Sequence, residues 1–303
     1  MEQVLPVPAV FSSEFLLKGV AAPFLTAFAT ILLSSRLFSG RRGMAAAGFA
    51  IAQALGAGWL LWGQDVWLPS RNLHWVPWCA VGGALLGPVL VAGGLARFER
   101  WLLAAFAALA TAALLVPTWP DLWPSRTVSM MSFTAALTVL ARGVDGVGRR
   151  NPPRLVSLSM AATALVAAML IAACVSLKLG ESALVTAAAL AGSAAAVLIR
   201  PDETAVRGLA LPYALAVGGW CYVCAIELPS PTPPLVALLF VPLAPLMLAL
   251  VAAGPLANRS LTTRWIAGLL LVAGYLVGVG AWAWTSTETS DDEYGYSMSY
   301  NAD

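Results

Sequence analysis

Charge is what this sequence has least of. Only 11% of its 303 residues are Asp, Glu, Lys or Arg, against roughly 25% in an ordinary soluble domain. With 60% hydrophobic residues and a mean hydropathy of +0.81, too little polar surface remains to cover a water-soluble globule. The scarcity excludes more than solubility. His74 is the only histidine, and nothing around it supplies the three or four convergent ligands of a metal site. The arginines are scattered among short connections, so they make no nucleic-acid footprint. No catalytic or nucleotide motif of high specificity occurs, and neither enzyme activity nor a cofactor is expected.

Long apolar runs take the place of all this. Ten of them lie near 15–38, 43–63, 78–97, 101–119, 127–142, 155–177, 181–200, 207–227, 235–253 and 264–284. About 20 helical residues cross a hydrocarbon core of about 30 Å. The expected fold is therefore all-α, a polytopic bundle of about ten transmembrane helices, with the fifth run the shortest.

The few charges sort themselves by connection. Thirteen of the 17 Lys and Arg residues, from Arg36 to Arg264, fall in every second connection, and the others hold only Lys18, Arg71, Arg126 and Lys178. Translocation retains positive charge on the cytoplasmic side. That places both termini outside the cytoplasm, in a bacterial cytoplasmic (inner) membrane. Most tryptophans, among them Trp59, Trp75, Trp78, Trp119, Trp123 and Trp282, gather at the outer ends as a headgroup belt. Residues 1–14 hold two glutamates and no basic residue, so the first run reads as a retained span, not a cleaved signal.

The most basic connection, 143–154 (GVDGVGRRNPPR), lies almost at the midpoint. Its glycines and prolines are expected to stop both flanking helices. The chain then divides into a first five-helix half (1–142), a cytoplasmic connector (143–154), a second half (155–284) and a tail (285–303). An odd number of spans per half requires any repeat to be inverted. In span count alone the layout resembles the drug/metabolite transporter superfamily, whose members usually begin on the cytoplasmic side.

Candidate functional residues fall into three sets. A substrate path between the halves would be lined by Gln53, by Gly87 and Pro88 in the third run, and by Tyr213 and Tyr222 in the eighth, since interrupted helices mark midplane binding sites. Cys79, Cys174, Cys221 and Cys224 all lie toward the outer side. The CYVC pair is the minimum equipment for thiol–disulfide exchange, and a static Cys79–Cys174 bridge is the alternative. The tail carries Asp291, Asp292, Glu293, Tyr294, Tyr296 and Tyr300, a solvated segment of the kind that often docks partners. Acidic and basic residues are missing from the centre of every run, which disfavours proton-coupled transport.

Small residues four apart mark close helix contacts. Three such stripes occur, at Gly48, Ala52 and Gly56, at Gly83 and Gly87, and at Gly274 and Gly278. The leading functional expectation is a small-molecule permease. The alternatives are a non-catalytic subunit that anchors or assembles a larger complex through a membrane or extracytoplasmic protein partner and, more remotely, a thiol–disulfide oxidoreductase. Homo-oligomers fit any of them.

Overall fold

A computed structural model describes residues 15–37, 44–60, 69, 71–91, 94–119, 125–226, 233–254 and 256–291. The described residues are helical with no strand. A π-helical turn Leu16–Ala21 leads into α1 (Ala22–Leu37), followed by α2 (Met44–Leu60), α3 (Val76–Val91), α4 (Arg97–Leu115), α5 (Arg126–Arg150), α6 (Pro153–Cys174) and α7 (Leu177–Ile199). A short α8 (Glu203–Gly208) precedes α9 (Ala210–Ile226). Then α10 (Pro233–Phe240) and α11 (Leu248–Ala253) flank the 3-10 stretch Val241–Met247, and α12 (Leu261–Asp291) closes the described chain. Among the described residues, eight helical segments are long and apolar enough to cross a membrane, and Ala45–Gly58 and Ala210–Ile226 are shorter apolar helices. The chain is an α-helical bundle compatible with a polytopic membrane protein.

The centre of the bundle is α9. Every side from Ala210 to Cys221 is buried, because its sequence is apolar all round and neighbours cover each face. It packs on α3, α4, α5, α6, α7 and α10. Around it, α1 packs on α2 and α7, α4 on α5, α6 on α7, and α10 on α12. The neighbours are unequal in the two halves. The contact of α1 with α7 has no comparable counterpart between α6 and α2 among the described residues.

Two of the small-residue stripes are used inside the bundle. Side chains added at Gly48 and Gly56 would run into Ile31, Pro23 and Val185 of α1 and α7. On α3, a Cβ at Gly83 would come 3.1 Å from the Pro212 Cα, and one at Gly87 would overlap the Gly208 carbonyl. That carbonyl is exposed at the α8–α9 junction because Pro212, four residues on, has no N–H to offer it. The absence of a side chain at Gly87 lets α3 approach the break. The third stripe behaves differently, since a Cβ at Gly274, Gly278 or Gly280 meets nothing within 4 Å.

Helix α5 departs from the sequence expectation. It does not stop at residue 142 but runs through Gly143, Gly146 and Gly148 to Arg150, which makes the fifth segment one of the longest. Glycine is tolerated in a packed helix, and here two of the glycines admit neighbours: Gly143 faces Leu246, and Gly148 faces Arg207. The helix stops only where Asn151 turns extended before Pro152 and Pro153. Its ending is secured by Asn151 Nδ2, which donates to Val147 O (3.2 Å) and Leu248 O (3.3 Å), and by Arg264 Nη2, which donates to Arg150 O (2.9 Å). Likewise α12 continues past Trp284 to Asp291, so the expected tail begins as helix.

Candidate functional site

The residues expected to line a path are brought near α9 but are packed instead of open. Gln53 on α2 is 0% exposed, and its Nε2 donates to Thr186 Oγ1 on α7 (3.1 Å). The same hydroxyl accepts from Trp220 Nε1 on α9 (3.2 Å), so three helices are tied at one oxygen. Tyr213 is fully buried and donates to Pro242 O (2.8 Å). In a 3-10 turn Pro242 O would look to residue 245 for its donor, and Pro245 has no N–H. The tyrosine hydroxyl supplies the missing bond. Tyr275 donates in the same way to Phe240 O (2.9 Å). Gly87 is filled by the Gly208 carbonyl, and Pro88 sits beside it partly buried.

Tyr222 is separate from these. Its ring stacks on Phe133 of α5, with centroids 3.7 Å apart and planes at 9°. Both rings border an apolar groove of about 230 Å³ with Ser132, Cys221 and Pro242. A second groove of about 250 Å³ lies against Trp75, Cys79 and Thr111. A third, of about 340 Å³, lies between α6 and α7 beside Met169 and Glu181.

The alternative of a static Cys79–Cys174 bridge is not realised. No disulfide joins Cys79, Cys174, Cys221 or Cys224. Cys221 and Cys224 are both at 0% exposure in the C-terminal part of α9, and Cys221 borders the groove beside Tyr222. Among the described residues no three metal-liganding side chains cluster. Asp292, Glu293, Tyr294, Tyr296 and Tyr300 lie outside the described residues, and Asp291 is the last residue of α12.

The most concentrated chemistry is at the arginine-rich end, where sequence reasoning saw only a connector. Asp145 on α5 is 6% exposed. Its Oδ2 accepts from Arg142 Nη1 (3.0 Å) and Arg149 Nη2 (2.7 Å), and its Oδ1 accepts from Arg207 Nε on α8 (2.9 Å). Arg207 also reaches Glu203 (3.4 Å). Burying a carboxylate costs several kcal/mol unless opposite charge and hydrogen bonds meet it, and three guanidiniums meet this one. The Arg142 guanidinium stands over the Trp101 ring, 5.5 Å from its centroid, within the range of cation–π attraction. Trp101 is placed by the first turn of α4, whose start Glu99 caps by accepting from Ala96 N (2.7 Å). The sequence carried a signal for this cluster, because residues three before and four after Asp145 share its helix face. The glycines and prolines of 143–154 mask that signal.

Comparison of the chain with known protein families and with characterised proteins found no match.

Proposed function

We propose that this protein is a non-catalytic subunit of a cytoplasmic-membrane complex, with both termini outside the cytoplasm, that docks the transmembrane helix of a partner along α12. The observation that carries this reading is the glycine face of α12. Of three small-residue stripes, two are filled by neighbours within the chain, and the one at Gly274 and Gly278 is open and flanked by Leu270 and Val277, which are also exposed. Small residues allow backbones to approach where no hydrophobic force drives helices together in lipid. The packing of Gln53, Gly87 and Tyr213 favours this reading over transport, since the Gln53 amide N–H and the Tyr213 hydroxyl donate to neighbouring elements and the Gly208 carbonyl fills the space at Gly87.

Native mass spectrometry of the protein after gentle extraction from its own membrane tests the proposal. A stoichiometric partner that is lost in Gly278→Leu, with thermal stability unchanged, is the expected result. A solitary monomer or a homodimer would overturn it.

One observation favours a permease as second reading. The α8–α9 junction and the 3-10 stretch Val241–Met247 interrupt neighbouring helices, and Gln53 Oε1 is buried with no partner. Interrupted helices of this kind hold substrates in transporters. Solute flux into vesicles that Gln53→Leu abolishes without unfolding the protein would decide for it.

A further inference from the structure

The cluster around Asp145 is not electrically closed. Asp145 and Glu203 supply two negative charges, and Arg142, Arg149 and Arg207 supply three positive ones at 2.7–3.4 Å. Arg100, in the first turn of α4, is near enough for its charge to act on Arg142. Among these six groups two positive charges remain without a carboxylate. Two donors are also left over. The Nε groups of Arg142 and Arg100 are buried and have no hydrogen-bond partner, although the Arg142 side chain is only 8% exposed. A buried guanidinium N–H without an acceptor is costly, and excess positive charge beside it raises that cost.

The surroundings point to what supplies the acceptor. Arg149 is 38% exposed and opens the cluster to the outside. Next to Trp101, Phe98, Leu102 and Phe106 form an exposed apolar ridge along α4, at the spacing of one helix face. A ligand that satisfies both neighbours has an anionic oxygen-rich head and an apolar tail. Basic pockets between transmembrane helices on the cytoplasmic side take anionic lipid headgroups.

We propose that Arg100, Arg142 and Arg149 bind the phosphodiester of an anionic phospholipid, with an acyl chain lying on the Phe98–Leu102–Phe106 ridge of α4. Asp145 is the positioning residue, holding Arg142 and Arg149 toward the headgroup while Arg207 ties it to α8. The site is independent of the glycine face of α12 and of any partner docked there.

Free phosphate has the same anionic oxygens, and the test separates the two sources. The full-length protein, delipidated in detergent, is titrated by native mass spectrometry with phosphatidylglycerol, with phosphatidylcholine of the same chains, and with inorganic phosphate. The expected result is at least tenfold preference for phosphatidylglycerol over phosphatidylcholine, with inorganic phosphate failing to displace the lipid at equal concentration. Arg100→Gln and Arg149→Gln should each weaken phosphatidylglycerol binding about tenfold, the equivalent of one charge-assisted hydrogen bond. Both lie at the edge of the cluster, so the fold should tolerate them. Asp145→Asn should also weaken phosphatidylglycerol binding, because Arg142 and Arg149 lose the carboxylate that holds them toward the headgroup. Equal retention of the two lipids, displacement by inorganic phosphate, or unchanged affinity in both arginine variants would overturn the proposal.

Discussion

Asp145 governs more of this molecule than any other single side chain. It accepts three guanidinium hydrogen bonds from two helices, and removing one partner of a buried ion pair is costlier than never having made it. Asp145→Asn should therefore lower stability by about 3–5 kcal/mol, read as a fall in the thermal unfolding midpoint in detergent. Arg149→Gln, at the exposed edge, should cost much less. Tyr213 acts through one hydrogen bond in a dry place. Tyr213→Phe leaves Pro242 O without a donor and should cost about 1–3 kcal/mol. Tyr275→Phe, nearer the surface, should cost less in the same unfolding measurement. Legibility at this scale was uneven. The interhelical role of Gln53 follows from the expense of burying an amide, whereas its partners Thr186 and Trp220 come from remote helices that no local pattern connects. The buried state of Cys221 and Cys224 was equally hidden, because an apolar helix in lipid and one in a protein core read alike.

At the scale of elements, the interrupted helices singled out from the sequence do meet, though as packing partners. Gly83 and Gly87 on α3 lie against Pro212 and the Gly208 carbonyl, so the proline break and the glycine pair are two sides of one contact. Gly87→Leu should disrupt this crossing, with misfolding or a strongly lowered unfolding midpoint. Gly274→Leu, on the open face of α12, should leave the monomer's midpoint nearly unchanged. Equal destabilisation by the two substitutions would show that α12 is covered within the chain. Apolar length alone indicates an all-helical bundle, since a helix is the one local structure that satisfies its own backbone in lipid, and among the described residues eight of the ten expected spans are long and apolar enough to cross a membrane. The ends were harder to place. Glycine and charge after residue 142 point to a loop, yet Asp145 pairs with the arginines of its own helix face and α5 continues to Arg150.

For the whole molecule, the exposed apolar surface from α1 to α12 is of the kind that lipid covers, whereas the stretch Ala210–Cys221 of α9 is shielded by its neighbours. Which helix neighbours which was not legible, because short connections permit many arrangements of similar apolar rods. The 25 residues of α5 extend about 37 Å, beyond the roughly 30 Å of an average hydrocarbon core. On the anionic-lipid proposal, its final turns hold Asp145 and the arginines at headgroup depth. A bilayer with longer acyl chains would draw those charges toward hydrocarbon. In vesicles of graded chain length the unfolding midpoint should pass through a maximum and fall on the thick side, and the decline should be shallower when Asp145, Arg142 and Arg149 are replaced together by leucine. The charged end of one helix would thus make the protein a gauge of membrane thickness, favouring the thinner of two bilayers offered to it.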